Sequence, residues 1–416
     1  QGFAFLAARV QYKINQDFPR FTQNLLNVVS PQLTASTPSM MVAEIKPDFK
    51  QSAMLNGYRL PRDSPFQGEL RGFRRDRFMG DVAIQFRSAR TLMLWPLQIK
   101  NVAYLANSNS VNSNLGAGPA TQSALTFSLF LDPVLGKSLS ECGVQELDFF
   151  VPNSATGNLG HRLFAAVRQG QAEAFVRQNN RPGVPSVRVP LSIEPLGLDR
   201  HLITAVENRQ KLEDEDYLLP YDHRVFDGHR LLHEFMALPE RFLFFRLKGL
   251  GDAVRRCEGT EMQIAVRFDQ RHPELEGHLD DRSLRLYCVP AINLFPASAS
   301  DINVDGKRVD YPVVVDNFGP MEAEVHSVTK VIGRYSSSAT NALETVEYKP
   351  FFAAPKETAP KRYYALNRAA RRQPVTVSSE GGQNSQRGDE VSISLVDESG
   401  FVGLPLAGDR SEEHTS

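Results

Sequence analysis

The sequence lacks an excess of charge of either sign. Its 416 residues contain 47 Lys and Arg and 48 Asp and Glu, which gives a formal net charge of −1 at pH 7. Proteins whose main partner is a nucleic-acid backbone usually carry a basic excess, because every phosphate that they contact is negatively charged. The balance therefore argues against nucleic acid as the main partner.

Cysteine, tryptophan and long apolar runs are also scarce. Cys142, Cys257 and Cys288 lie far apart and form no C-x-x-C pair, so neither a disulfide framework nor a zinc cluster is expected. Trp95 is the only tryptophan and lies within an apolar run, which argues against a carbohydrate-binding module with exposed aromatic platforms. The longest apolar runs, such as Leu92–Leu97, are much shorter than the ~20 residues of a membrane helix. We expect a cytoplasmic protein with no direct membrane insertion.

The sequence does contain apolar residues in two clear periodicities. Residues 1–30 carry apolar side chains at helical spacing. Alternation of apolar and polar residues predicts β-strands at Asp81–Ser88, Leu125–Leu131, Met262–Phe268 and Val391–Val396. The regular alternation of strands and helices that a parallel sheet requires is absent. The predicted fold class is therefore α+β and multidomain, rich in antiparallel strands, with a helical N-terminal portion.

Local signals predict four further elements. Gly228–Ala237 is predicted as a helix that ends before Pro239, and His161–Arg177 as another helix. Asn107–Ser123 is rich in Asn, Ser and Gly and is predicted as a long surface loop. The pair Asp305-Gly306 lies between two short apolar segments, which is typical of a β-hairpin turn.

The composition changes along the chain suggest domain limits near residues 50, 210 and 350. The expected units are a helical segment at 1–50, a β-rich domain at 51–210, an α+β domain at 211–350, and a basic, flexible segment leading into further β-structure at 351–409. The tail at 410–416 looks like the in-frame translation of a common sequencing adapter. We therefore expect this tail to lie outside the natural protein.

The best candidate for a metal site is the pair His229 and His233. Residues four apart share one face of a helix, so both imidazoles could reach one ion, with His223, Asp227 and Glu234 close in sequence. The pattern lacks the glutamate that follows the first histidine of an H-E-x-x-H motif. A metal-dependent hydrolase using His229 and His233 is the alternative function, and solvated or capping histidines are the simpler interpretation. No catalytic, cofactor-binding or metal-binding residue is assigned, and no cofactor is expected.

The segment Tyr217–Gly249 is dense in aromatic and aliphatic residues with interleaved arginines. Arginine together with aromatic residues is typical of buried interface anchors. The candidate protein-interface residues are Phe226, Arg230, Phe235 and Arg241. An ordinary core helix and strand with exposed arginines would have the same composition, so both interpretations stay open.

A short basic stretch, Lys361–Arg372, contains five basic residues and no acidic one. It also contains Tyr363 and Tyr364, and basic residues next to aromatic ones are one pattern found where proteins contact nucleic acid or an anionic lipid. One short patch in a neutral chain is more often a solvated face or a protein contact. No function is assigned to this stretch.

A series of segments, in order from residue 2 to about 330, carries a resemblance to a known family. They are Phe3–Gln11, Asp17–Pro19, Thr37–Met40, Leu94–Leu97, Leu218–Tyr221, Phe226–Gly228, Phe235–Phe245, Cys288–Phe295 and Tyr311–Val314. In these segments the sequence resembles the TssF family, also called VasA or ImpG, of type VI secretion baseplate subunits. Members of that family are longer at both ends, which fits a chain truncated at both ends.

The resemblance implies a structural protein and not an enzyme, similar in role to a wedge component of contractile phage-tail baseplates. The implied partners are TssG, TssE, TssK, and the spike and sheath components of the same machine. Two copies of this chain would join one TssG in each wedge and support assembly of the tail tube and sheath. The implied location is the cytoplasm, at the inner face of the bacterial inner membrane through the assembled machine.

The sequence departs from the family at the candidate metal pair. Family members usually carry Tyr and Gln where this chain has His229 and His233. The resemblance therefore argues against a metal site at these positions. It fades beyond about Pro350 and does not interpret the basic stretch.

Overall fold

A computed structural model of the protein describes most of the chain. The described residues are 2–29, 31–48, 52–69, 83–115, 121–153, 158–176, 187–197, 217–220, 227–305, 307–318, 323–336, 343–351, 362–370 and 388–396.

Helices lie mainly at the N-terminus and on the largest sheet. Their bounds are α1 Gly2–Val29, α2 Pro31–Thr34, α3 Ser108–Leu115, α4 Leu159–Gln169, α5 Asp227–Ala237 and α6 Leu250–Arg255. The prediction of a helical N-terminal portion is confirmed by α1, and the helix predicted over Gly228–Ala237 is confirmed by α5. Among the described helices, none combines the length and the apolar character needed to cross a membrane.

The strands form four sheets. Their bounds are β1 Met40–Glu44, β2 Tyr58–Leu60, β3 Pro65–Glu69, β4 Ala83–Ser88, β5 Leu92–Leu94, β6 Leu97–Leu105, β7 Ser123–Leu131, β8 Glu146–Phe150, β9 Gln171–Val176, β10 Val187–Leu196, β11 Phe244–Lys248, β12 Glu261–Phe268, β13 Arg285–Leu286, β14 Cys288–Ile292, β15 Tyr311–Pro312, β16 Val331–Ser336, β17 Leu343–Pro350, β18 Tyr363–Ala370 and β19 Asp389–Val396.

The strand orders are β1-β14-β4-β3, β13-β8-β11-β10-β9-β12-β7-β6, β15-β19-β18-β17-β16, and the pair β2-β5. Among the described strands, every pairing is antiparallel except that of β17 with β18. The predicted α+β fold rich in antiparallel strands is therefore confirmed.

The largest hydrophobic core is built around the eight-stranded sheet. Helices α4 and α6 pack against its strands. Aromatic rings join neighbouring strands: Phe149 of β8 stacks on Phe245 of β11 at 5.2 Å, and Phe127 of β7 meets Phe149 edge-on at 5.4 Å. Such pairs add to the free energy gained by burying their area. These contacts join the strands of the eight-stranded sheet through one hydrophobic core.

Two local predictions were wrong because long-range contacts decided the structure. Within Asn107–Ser123, residues 108–115 form α3. Asn107 caps the first turn of this helix, since its Oδ1 accepts a hydrogen bond from the Ser110 N–H at 2.8 Å. Val111 buries itself fully against the sheet. The helix predicted over His161–Arg177 ends at Gln169, and residues 171–176 of that stretch form β9. Arg177 lies outside the described residues.

The predicted hairpin at Asp305 was also wrong. Residues 302–304 form no strand, and Tyr311 of β15 pairs instead with Ile393 of β19. The Asp305 carboxylate accepts hydrogen bonds from the Lys307 N–H at 3.0 Å and the Tyr311 hydroxyl at 3.2 Å. These side-chain contacts stabilise a local turn, so strand pairing between the flanking segments is not needed.

Candidate interaction surfaces

Helix α5 has two different sides. One side carries Glu234, which is fully buried, and the other carries Leu232, Phe235 and Met236, which are 47–75% exposed. Residues three and four apart share a helix face, so these apolar side chains form one continuous stripe. An exposed apolar stripe of this kind marks a contact surface more often than a scattered apolar residue does.

The buried side of α5 is organised by the Glu234 carboxylate. Its Oε1 accepts hydrogen bonds from the N–H groups of Leu218 and Leu219, at 2.9 and 2.8 Å. Its Oε2 lies 2.9 Å from Nη1 of Arg241, and Oε1 lies 3.9 Å from Nε of Arg230. Burial raises the pKa of Glu234, and the two guanidiniums and two N–H groups oppose that shift. One carboxylate thus joins the helix to two other parts of the chain.

The ring of Tyr217 completes this Glu234 cluster. The guanidinium of Arg230 lies 3.8 Å from the ring centroid, and that of Arg241 lies 5.4 Å from it. Arg62 donates from Nη2 to the Tyr217 carbonyl at 3.3 Å, which links the cluster to the segment after β2. Cations over a desolvated ring face are stabilised by its quadrupole. The cluster therefore holds residues 217–219 against α5.

The structure separates the four candidate interface residues. Arg230 and Arg241 are 7% and 3% exposed and belong to the Glu234 cluster, whereas Phe235 is exposed, with its ring 5.7 Å from that of Phe242. Phe226 lies outside the described residues. Contact of these four residues with a partner stays a prediction. Sequence reasoning missed the ion pair, although Arg230 and Glu234 have the i, i+4 spacing of helical pairs.

The histidine pair on α5 does not form a metal centre with other described residues. His233 Nε2 lies 2.8 Å from Thr37 Oγ1, and His229 is exposed. The described part of the chain contains no group of three or more His, Cys, Asp or Glu side chains placed to hold a metal ion. The hydrolase hypothesis gains no support from these contacts.

His233 instead lies at a junction between the N-terminal region, α5 and the five-stranded sheet. Arg368 of β18 donates from Nη2 to the His326 carbonyl at 2.7 Å and lies 3.8 Å from Asp389 of β19. Burial, followed by the charges of Arg368 and His233, lowers the pKa of His326 to about 4. Arg368 of the basic stretch therefore makes contacts within the chain, because β18 lies between two other strands of the five-stranded sheet.

The first three turns of α1 carry large apolar side chains that no described residue covers. Phe3, Phe5, Leu6, Val10 and Tyr12 are 59–86% exposed. Isolated exposed apolar residues are ordinary in proteins, but five within ten residues are not. Helix α1 contacts α2 and packs against β18, so it is anchored to the rest of the chain.

Comparison with known proteins agrees with this fold. A family model described as "Type VI secretion system, TssF" matches residues 1–402. The type VI secretion system component TssF1 of Pseudomonas aeruginosa is 32% identical over 403 residues, which cover 95% of this chain and 60% of that protein. The chain therefore spans about 60% of the length of this relative.

A solved structure extends the likeness to three dimensions. A chain of the type VI secretion system TssK-TssF-TssG baseplate subcomplex, determined by cryo-electron microscopy, matches with a TM-score of 0.68 at 20% identity. The match covers 100% of this chain and 66% of that chain, and it shows a common fold. From the family match, the relative and this fold, the chain belongs to the TssF family of the type VI secretion system.

Proposed function

We propose that this chain is a structural subunit of a type VI secretion baseplate and that it assembles with TssG and TssK. Its family membership and its fold, which it shares with a chain of the solved TssK-TssF-TssG subcomplex, support this role. In the fuller proposal, two copies of the chain and one TssG form a wedge that also contacts TssE. The wedge supports assembly of the spike, tail tube and sheath on the cytoplasmic side of the inner membrane, without enzymatic chemistry.

The observation that carries this proposal is the pair of exposed apolar faces on α1. Phe3, Leu6 and Val10 have i, i+3, i+7 spacing and share one face. Phe5 and Tyr12 are seven residues apart and share a second face. Since each residue advances roughly 100° around the helix, this second face lies about 180–200° from Phe3. A helix with apolar side chains on opposite sides is suited to packing between two neighbours. This arrangement fits an assembly of several subunits better than a monomeric enzyme.

The test is co-expression of this chain with TssG and TssK from the same genome. The mass of the co-eluting complex, measured by size exclusion with light scattering, gives the stoichiometry. We expect a stable complex with two copies of this chain for each TssG. A folded monomer that ignores both partners would refute the proposal.

A substitution then tests the role of α1. Replacing Phe3, Leu6 and Val10 by Ser removes one apolar face, and burial of each such side chain is worth about 1.5–3 kcal/mol. We expect affinity for the partners to fall at least tenfold. Replacing Arg9 and Lys13 by Ser on the same helix is the matched control and should leave assembly within about threefold. Equal loss in both variants would mean that the apolar face is not the contact.

A further inference from the structure

The five-stranded sheet has a hydrophobic core of its own. Its buried side chains are Val331, Tyr348, Tyr364 and Ile393, and they form a cluster separate from the core of the eight-stranded sheet. A sheet with its own core can move as a unit, because its internal packing does not depend on its neighbours. Its position relative to α5 and the N-terminal region therefore depends on the contacts between them.

Two histidines from different elements meet where α5 faces this sheet. His233 of α5 and His326, in the segment before β16, interact electrostatically. On the α5 side, His233 Nε2 lies 2.8 Å from Thr37 Oγ1. On the sheet side, Arg368 of β18 donates from Nη2 to the His326 carbonyl at 2.7 Å. We call these four residues, Thr37, His233, His326 and Arg368, the histidine joint.

The charged groups around His326 come from β18, β19, α5 and its own segment. Arg368 Nη1 lies 3.8 Å from Asp389, and Glu324 Oε1 accepts a hydrogen bond from the Asp389 N–H at 3.0 Å. Both carboxylates therefore have partners of their own. Burial, Arg368 and His233 oppose a charge on the His326 ring, and Glu324 offsets them only in part.

A second proton on the His326 ring has no good place in the closed joint. Its Nδ1 is buried and has no hydrogen-bond partner among the described residues. An imidazolium has two N–H donors, and a buried donor without an acceptor costs free energy. Burial and the Arg368 guanidinium lower the pKa of His326 from 6.5 to about 4. Acid therefore favours any conformation in which water reaches the ring.

We propose that acid opens the histidine joint, so that the five-stranded sheet separates from α5 while both stay folded. Helix α1 also packs against β18, so the sheet keeps a contact with the N-terminal region and pivots on it. With an ordinary pKa for His326 in the open state, the ratio of open to closed chains rises about twentyfold from pH 7 to pH 5. This switch goes beyond the proposed function and does not depend on it.

The test measures a distance across the joint by double electron–electron resonance in the full chain. Spin labels are placed on cysteines introduced at Met236 of α5 and Thr345 of β17, both of which are exposed. The three native cysteines are buried, so labelling stays at the two introduced sites. We expect one distance population at pH 7 and a second, longer one at pH 5. The fluorescence of Trp95, in the main core, should not change.

Three variants separate the role of His326 from other effects of acid. His326→Gln should abolish the response to pH, because an amide does not titrate in this range. His278→Gln replaces an exposed histidine and is the matched control, which should keep the response. Thr37→Ala removes the contact with His233 and should enlarge the longer population at both pH values, with the twentyfold ratio between them unchanged.

Several outcomes would overturn this proposal. One is a single distance population in the wild-type chain at both pH values, and another is a response that persists in His326→Gln. A change of Trp95 fluorescence in step with the distance would mean that acid unfolds the whole chain. If His326→Gln does not fold, Thr37→Ala decides, and a longer population that ignores pH in that variant would count against the joint.

Discussion

Replacing Glu234 by Ala would test the central interaction of α5. The substitution removes the carboxylate that lies 2.9 Å from Arg241 Nη1 and accepts the N–H groups of Leu218 and Leu219. Removal of one partner from a buried ion pair costs about 3–5 kcal/mol, because the other charge stays in a site of low dielectric. Each buried N–H left without an acceptor costs about 1–3 kcal/mol more, although these terms are not additive. We expect a total loss of at least about 3–5 kcal/mol.

Hydrogen exchange and fluorescence would measure this loss. The amides of Leu218 and Leu219 should exchange roughly 100-fold faster or more in Glu234→Ala, because their opening free energy falls by the same amount. Trp95 is the only tryptophan and is buried in the main core, so its fluorescence in urea reports whether the loss spreads to the large sheet. Two-state behaviour would be checked by comparing the two probes.

Two variants serve as controls. Glu234→Gln keeps an oxygen for the two N–H groups and loses the charge, so it should destabilise less than Glu234→Ala. Glu258→Ala removes an exposed carboxylate outside the Glu234 cluster and should change stability by no more than about 0.5 kcal/mol. A loss below about 1 kcal/mol in Glu234→Ala, with unchanged exchange at Leu218 and Leu219, would refute the reasoning.

Two further predictions concern pH and backbone geometry. Burial and the Arg368 guanidinium lower the pKa of His326 from 6.5 to about 4. The unfolded chain therefore binds this proton below pH 6.5, whereas the folded chain binds it only near pH 4. Lowering the pH from 7 to 5 should cost about 1–2 kcal/mol in urea titrations, and His326→Gln should lose this part of the dependence. Gly57→Ala should cost about 1–3 kcal/mol, because φ is 79° and the new Cβ would meet Trp95. Gly68→Ala, whose Cβ would have no neighbour within 4 Å, should be within about 0.5 kcal/mol of wild type, and a large loss there would contradict the packing argument.

Sequence periodicity predicted the elements whose side-chain pattern reflects one local environment. The strand predicted over Met262–Phe268 is β12, and that over Val391–Val396 lies within β19. In β7, however, both faces are buried. Thr126 and Ser128, which the alternation predicted to face solvent, are buried as well. Strands buried on both faces usually read as continuous apolar runs, so the Thr and Ser residues of β7 led to the prediction of a solvated face.

The errors fall where contacts distant in sequence decide the local conformation. The stretch His161–Arg177 has apolar residues that fit a helix, but the chain turns at Gly170, where a Cβ would come within 2.5 Å of Val266. The turn therefore depends on a strand about a hundred residues away. Near Asp305, Tyr311 was expected to pair with the segment just before Asp305. It pairs instead with Ile393 of β19, which is about eighty residues further along the chain.

The candidate surfaces show the same division. The sequence predicted an aromatic- and arginine-rich helix, and α5 is present with an exposed apolar stripe. It did not predict that Arg230 and Arg241 bind Glu234, because the N–H groups that complete the cluster belong to residues 218 and 219. Those residues reach Glu234 only after the chain has folded.

Composition, periodicity and ordered motifs by themselves determined the balanced charge, the α+β class, the helical N-terminus and membership in the TssF family. These properties depend on residue types and on spacings of a few positions along the chain. Tertiary structure alone decided which charges are paired and which surfaces are exposed. For example, Arg59 and Arg246 line the same cavity although they are almost two hundred positions apart in the sequence. Strand pairing and core packing bring them together. Such proximity depends on the balance of many distant contacts, and no local pattern encodes it.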